Sequence, residues 1–314
     1  GAKYETLQAA YEAANANHTI VLLQNVTLDA TFAIAKGVTL NGSENNYKLT
    51  VNANGIPAVK VNTNDDVIFK SLVIESTGYN NGSQTHGVHI AKKANVTFDN
   101  VDVNSIYSVF VESSAAESVI NVNNGSKLYA DMSGIYAKGK VTINVTNSWV
   151  EKYYNGGSAI YVNGEYSVVN VVNSTIKATS TSNAHFAAFE IGADNVTVNV
   201  DENSKIEVIN SSYDIYAFYV GDKELNNRVL TNYNIIIADG ATINKNKETD
   251  PVIYIKDAEV KVTKDNVATM MYFRLIDALA VSHVEGETMT ILKPVVLTEN
   301  AALNIEGRTI ITAE

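Results

Sequence analysis

Hydrophobic and polar positions recur along this chain in a four-residue motif. It consists of a residue that is small in most copies, an aliphatic or Phe, a variable residue, then an aliphatic or Ala. The copies read Ala58-Val59-Lys60-Val61, Gly87-Val88-His89-Ile90, Ser108-Val109-Phe110-Val111, Gly134-Ile135-Tyr136-Ala137, Ala159-Ile160-Tyr161-Val162, Ala188-Phe189-Glu190-Ile191, Ala217-Phe218-Tyr219-Val220 and Val252-Ile253-Tyr254-Ile255. Their first residues stand 29, 21, 26, 25, 29, 29 and 35 residues apart. A self-similar unit of this length predicts a solenoid, in which each repeat buries its apolar face by stacking on its neighbours. Strand alternation puts positions two and four inward and position three outward.

Within each unit the period-2 runs predict three strands, as in 159–162, 167–171 and 175–178. The second strand carries an apolar-Asn-apolar triplet centred on Asn121, Asn144, Asn170 and Asn199, with Asn234 later, which predicts an outward column of Asn. Tight turns follow at Asp99-Asn100, Asn124-Gly125, Asn147-Ser148, Asn173-Ser174, Asn203-Ser204 and Asp239-Gly240. Asn, Asp and Gly tolerate the left-handed backbone that such turns need, and stacked turn asparagines are expected to bond one another along the solenoid. At the start of the chain, Leu7, Ala10, Tyr11 and Ala14 make one apolar stripe and predict a short helix over 4–14. A helix there suits an end cap, because an open first rung exposes core and strand edges.

Three strands per unit, the Asn turn after the second, and the Leu7-Gln8-Ala9-Ala10 helix before a strand ending in Leu22-Leu23 resemble the pectin-lyase-like superfamily. The resemblance covers about residues 1–265. It implies an all-β fold: a right-handed single-stranded parallel β-helix with three strands per coil and an N-terminal capping helix. The expected organisation is a cap over 1–18, the β-helix over 19–265, and a distinct segment over 266–314. In that last segment 288–312 echoes 19–40, with Leu23/Leu292, Val26/Val295, Leu28/Leu297 and Thr39/Thr309 among the matches. It reads as a C-terminal cap or as the start of a second β-helical unit. The superfamily hosts enzymes, adhesins and phage tailspikes, so the resemblance speaks to architecture and not to activity.

Composition narrows the partners. The chain has 314 residues, a net charge of −11 and three Arg (Arg228, Arg274, Arg308). A polyanion is repelled, so nucleic acid is not an expected partner. The absence of Cys removes disulfides, thiolate metal sites and a Cys nucleophile. No apolar run has the length of a membrane span, so no transmembrane segment is expected. Gly1 stands where an initiator Met would, which reads as a trimmed start and leaves room for an export signal. Low charge and abundant Asn, Thr, Ser and Tyr resemble secreted bacterial proteins.

Catalytic signals are sparse. Pectate lyases, by the resemblance, carry an Arg base near Asp-bound Ca²⁺, and no Arg precedes residue 228 here. Polygalacturonases carry Asn-Thr-Asp, paired Asp, Gly-His-Gly and Arg-Ile-Lys elements, and this chain has none of them. Asp65-Asp66 is the sole adjacent Asp pair and reads as a turn. Glycosidase chemistry needs two facing carboxylates, which neighbouring rungs can supply, but no pair is singled out. His86 and His89 flank Gly87 at a spacing that, in a straight strand, points them to opposite faces. No metal or cofactor is expected, and the sequons at Asn25, Asn95, Asn144 and Asn195 read mainly as turn and edge residues.

The third motif column is therefore the candidate site. Phe110, Tyr136, Tyr161, Tyr219 and Tyr254 form an aromatic stripe interrupted by Glu190, with Trp149, Tyr153 and Tyr154 in the neighbouring turn. Open aromatic faces stack on sugar rings, whereas the same rings stacked on one another only stabilise a sheet. The functional expectation is an exported, non-enzymatic cell-surface protein, adhesin-like, binding a polysaccharide, a host glycan or another extracellular ligand. The alternative is a polysaccharide-degrading enzyme with an unrecognised carboxylate pair.

Overall fold

A computed structural model describes residues 1–78, 85–154, 156–179, 186–209, 215–221, 230, 232–247, 249–264, 267–272, 274–279, 286–295 and 310–313. The chain is a parallel β-solenoid preceded by one short helix. Helix α1 (Leu7–Ala13) starts at Thr6, whose Oγ1 accepts the Ala9 N–H at 3.1 Å, the usual remedy for an unpaired first-turn donor. Leu7 and Tyr11 face the core, and the Tyr11 ring meets Phe32 edge-on at 5.4 Å. The Lys36 ammonium donates to the Ala14 carbonyl, satisfying the other end.

The strands fall into three parallel ladders. One, the Asn face, runs through Ser118–Asn123, Val141–Thr146, Val168–Val172, Val196–Val200 and Tyr233–Ile237. The second, the Trp face, runs through the start of Lys127–Ala137, then Trp149–Lys152, Thr175–Thr179, Lys205–Ile209 and Thr242–Asn244. The third, the motif face, runs through His86–Ile90, the ends of Asn95–Val111 and Lys127–Ala137, then Ile160–Val162, Phe186–Ile191, Ile215–Val220 and Ile253–Ile255. Inward side chains from all three merge into one core, with Val, Ile and Phe at nearly every inward position. From Val260 a separate four-stranded sheet begins, partly antiparallel, over its own cluster of Val260, Val262, Leu275, Ala278, Leu279 and Met289. The echo over 288–312 falls largely outside the described residues.

Two ladders of side-chain hydrogen bonds climb the outside. In the strand ladder the Asn144, Asn170 and Asn199 amides each donate to the Asn of the preceding rung at 2.9, 2.9 and 2.8 Å. Asn234 does not continue it: its strand enters two residues out of step, and Ile236 lies opposite Asn199. In the turn ladder Asn124 donates to Asp99 and Asn173 to Asn147, both at 2.7 Å, while Asn232 donates to Asn195 at 2.5 Å at the other corner, ahead of the Asn face. Asn100, Asn124, Asn147 and Asn173 all adopt φ of 45–56°, as the turn reading expected. The amides of Asn25, Asn95, Asn144 and Asn195 are all engaged with the next or previous rung.

A serine column escaped the sequence reading. Ser126, Ser148, Ser174 and Ser204 turn inward directly after the Asn turns and are buried. Ser126 Oγ accepts the Val101 N–H, Ser174 Oγ accepts the Ser148 N–H, and Ser204 Oγ accepts the Ser174 N–H, at 2.9–3.2 Å. At a corner the backbone leaves one ladder before it joins the next, so its N–H has no strand partner and the hydroxyl supplies one.

Candidate functional site

The motif face is bent, and the bend decides what its columns do. Position one is small because it points inward at the corner. A Cβ on Gly87 would lie 2.3 Å from Val103 Cγ1, and one on Gly134 would lie 2.4 Å from Val150 Cγ1. Positions one and two are thus both buried, and strand parity shifts by one residue at the corner. The residue before the motif is thereby thrown to the same side as position three. His86 and His89, expected on opposite faces, lie with ring centroids 5.0 Å apart. Tyr107 and Phe110 pair in the same way at 6.3 Å.

The stripe is therefore two residues wide, and its rings are spent on one another. Phe110, Tyr136 and Tyr161 are each 6% exposed and form a cluster outside the main core, with Tyr107 against it. Tyr136 stacks on Tyr161 at 4.7 Å and meets Phe110 edge-on at 5.3 Å. The Lys138 ammonium lies 5.4 and 5.5 Å above the Phe110 and Tyr136 rings. Tyr219 and Tyr254 belong to a second cluster with Tyr216, where Tyr216 stacks on Tyr254 at 4.2 Å. Glu190 separates the clusters in register between Tyr161 and Tyr219, and it accepts the Ser158 hydroxyl at 2.7 Å. The stripe was expected to point outward, its rings either open to a ligand or stacked on one another. Phe110, Tyr136, Tyr161 and Tyr219 are outward but buried against their neighbours, and Tyr254 is half-buried. Loops 77–85 and 223–227, which the sequence offers as further covers for the stripe, lie mostly outside the described residues.

At the N-terminal end of the stripe sits a polar knot. His89 Nε2 is 3.0 Å from Glu112 Oε1. His86 stacks face to face on Phe110 at 4.3 Å and is 2% exposed, and its Nδ1 has no hydrogen-bond partner among the described residues. Burial, then the neighbouring His89 and Lys138, push the His86 pKa down to about 3. His89 is also lowered, chiefly by burial, with Glu112 opposing and Lys60 adding. Both rings are neutral at pH 7. Among the described residues no group of three or more His, Cys, Asp or Glu could hold a metal. Asp65 is a turn residue, its Oδ2 accepting from Gly37 N at 3.0 Å and Thr63 Oγ1 at 2.8 Å.

Open aromatic surface lies instead on the Trp face. Tyr129 is 39% and Tyr154 51% exposed, and the Tyr129 and Tyr153 rings stack at 4.1 Å. Trp149 is half-buried, with Lys127 and Thr175 beside it on the adjoining strands. Its indole N–H donates to Glu151 Oε2 at 2.9 Å, which fixes the ring. Lys177 pairs with Glu151 Oε1 at 2.9 Å and lies 5.7 Å from the indole centroid. Lys127, Asn147, Ser148, Trp149, Asn173 and Thr175 line a shallow recess of about 300 Å³. Thus of the expected aromatics Trp149, Tyr153, Tyr154 and Tyr254 keep part of their surface exposed, and Trp149 alone of them lines the recess. Tyr129 was missed, although its place one strand before Glu151 follows from the repeat. Beneath this face Lys152 is fully buried and donates to the Thr179 carbonyl at 3.1 Å.

No protein-family model, curated protein or solved structure matches this chain. Among the described residues no helix is long and apolar enough to cross a membrane.

Proposed function

We propose that this is an exported, non-enzymatic cell-surface β-helix protein, right-handed with three strands per coil in the pectin-lyase-like manner, that binds a polysaccharide through its Trp face. Pairing of each strand with one an extra coil away supports the coil geometry. The observation that carries the binding reading is the recess at Trp149: an indole held by Glu151, with Asn147, Asn173 and Thr175 around it and the exposed Tyr129 opposite Glu151 on the adjoining strand. Sugar recognition needs that combination, an aromatic plane for the C–H face of the ring and amide or hydroxyl groups for its edge.

One face of an indole is roughly a third of the 150–250 Å² an aromatic buries, worth about 1.5 kcal/mol at 25 cal/mol/Å². A glycan array of the wild type, Trp149→Ala and the Tyr136→Ala/Tyr161→Ala double variant tests the reading. Trp149→Ala should weaken binding at least tenfold, and the double variant, if folded, should keep the wild-type spectrum. A wild type that binds no glycan, or a Trp149→Ala protein that binds unchanged, overturns it.

One observation favours the enzyme alternative: the His89–Glu112 pair, with Lys60 and Lys138 close by, has the form of a base and its orienting carboxylate. Release of reducing ends or unsaturated uronates by the wild type and not by Glu112→Gln would establish it.

A further inference from the structure

We infer that the polysaccharide taken by the Trp face is uncharged. The inference rests on the glycan reading of that face and names its ligand class. The protein as a whole carries −11, yet the charges around Trp149 cancel in pairs. Lys177 pairs with Glu151 at 2.9 Å and Lys205 with Glu207 at 2.5 Å. Lys48 pairs with Glu75 at 3.1 Å further along the same face. Lys127 lies opposite Asp102 in register, and its charge favours the ionised form of Asp102 against the burial that raises its pKa.

Each lysine near the indole thus has its carboxylate on the same or a neighbouring strand, and Glu151 is tied down twice, by Lys177 and by the indole N–H. A uronate polymer brings one carboxylate per sugar. Among the described residues every lysine of this face near the indole has a carboxylate paired with it or opposite it, and the polymer meets the repulsion of the whole protein. A polyamine-bearing glycan is drawn by the net charge but has to break these pairs to settle on the recess. The groups left to a ligand in the recess are the indole face and the uncharged edge of Asn147, Asn173 and Thr175, with Lys127 set opposite Asp102. Those suit a neutral pyranose chain.

Calorimetric titration with cellohexaose, mannohexaose, xylohexaose, hexagalacturonate and hexaglucosamine, in 50 and 500 mM NaCl, tests this. At least one neutral probe should bind tightest, with an affinity that changes less than twofold between the two salts, since exposed charge attraction is screened over that range. A charged probe that binds tightest and weakens about tenfold in high salt overturns this inference and leaves the glycan reading standing. Silence from every probe, together with an empty glycan array, overturns both. Glu207→Gln frees Lys205 without touching Trp149, and Glu151→Gln frees Lys177. Either should raise hexagalacturonate affinity about five- to tenfold in 50 mM NaCl. No gain in either variant counts against the pairing as the source of neutrality.

Discussion

Acid should loosen this solenoid at His86, and the size of the effect follows from where the ring sits. The imidazole is buried, stacked on Phe110, edge-on to His89 and Tyr107, with Lys138 close enough to disfavour a second positive charge. Its folded pKa is about 3, against 6.5 for an ordinary histidine. Between those values the unfolded chain holds a proton that the native chain does not. The stabilisation is therefore complete above pH 6.5, declines as pH falls, and is gone below about 3. At 1.36 kcal/mol per unit, moving from pH 6.5 to 4.5 removes about 2.7 kcal/mol. Carboxylates such as Glu112 also titrate in that range, so the comparison that isolates the ring is with His86→Phe, which retains the stack and loses the titration. Urea unfolding followed by far-ultraviolet circular dichroism, at half-unit intervals from pH 7.5 to 4.5, should show the wild type losing about 2–3 kcal/mol more than the variant. His89 shifts in the same direction but is opposed by Glu112, so His89→Phe should flatten the profile less. Parallel profiles for wild type and His86→Phe, or an NMR titration of His86 centred near 6.5, would refute the reasoning.

Two further substitutions test the corners. Ser174→Ala removes the acceptor of the buried Ser148 N–H and should cost about 1–3 kcal/mol in urea unfolding, while Asn173→Ala, at an exposed turn rung, should cost less. Gly134→Ala places a methyl 2.4 Å from Val150 Cγ1 and 2.9 Å from the Ala159 carbonyl, and a loss of about 1–3 kcal/mol is expected; a neutral result would mean that the corner has room the geometry does not show.

What the sequence disclosed, and what it withheld, follows one physical line. Inward positions two and four of the motif are legible because burial forces apolar residues at a fixed period, and nothing else in a strand does so as strongly. The Asn turns are legible because few residues tolerate their backbone. The parity shift at the corner is not legible. It inserts one residue between two strands that are each regular, so His86 and His89 read as opposed when they touch. The small first residue was its trace: Gly87 and Gly134 recur where a Cβ has no space. The serines had a signal too, standing directly after the turn asparagines at 148, 174 and 204. Whether an outward ring is open depends on what the remaining chain lays over it. Periodicity carries no information on that, and so Tyr136 and Tyr161 seemed as available as Trp149. Lys152 was hidden for a similar reason, because its position is inward but its partner is a carbonyl that no pattern announces.

Trp149 is the single tryptophan of the chain, so its fluorescence reports on the candidate site alone. Titrating the tightest-binding array oligosaccharide into the wild type should change the indole emission saturably. The midpoint should match the calorimetric Kd, move about tenfold in Tyr129→Ala and stay in place in Tyr161→Ala. Binding that saturates by calorimetry while the Trp149 emission stays constant would place the glycan elsewhere and contradict the account.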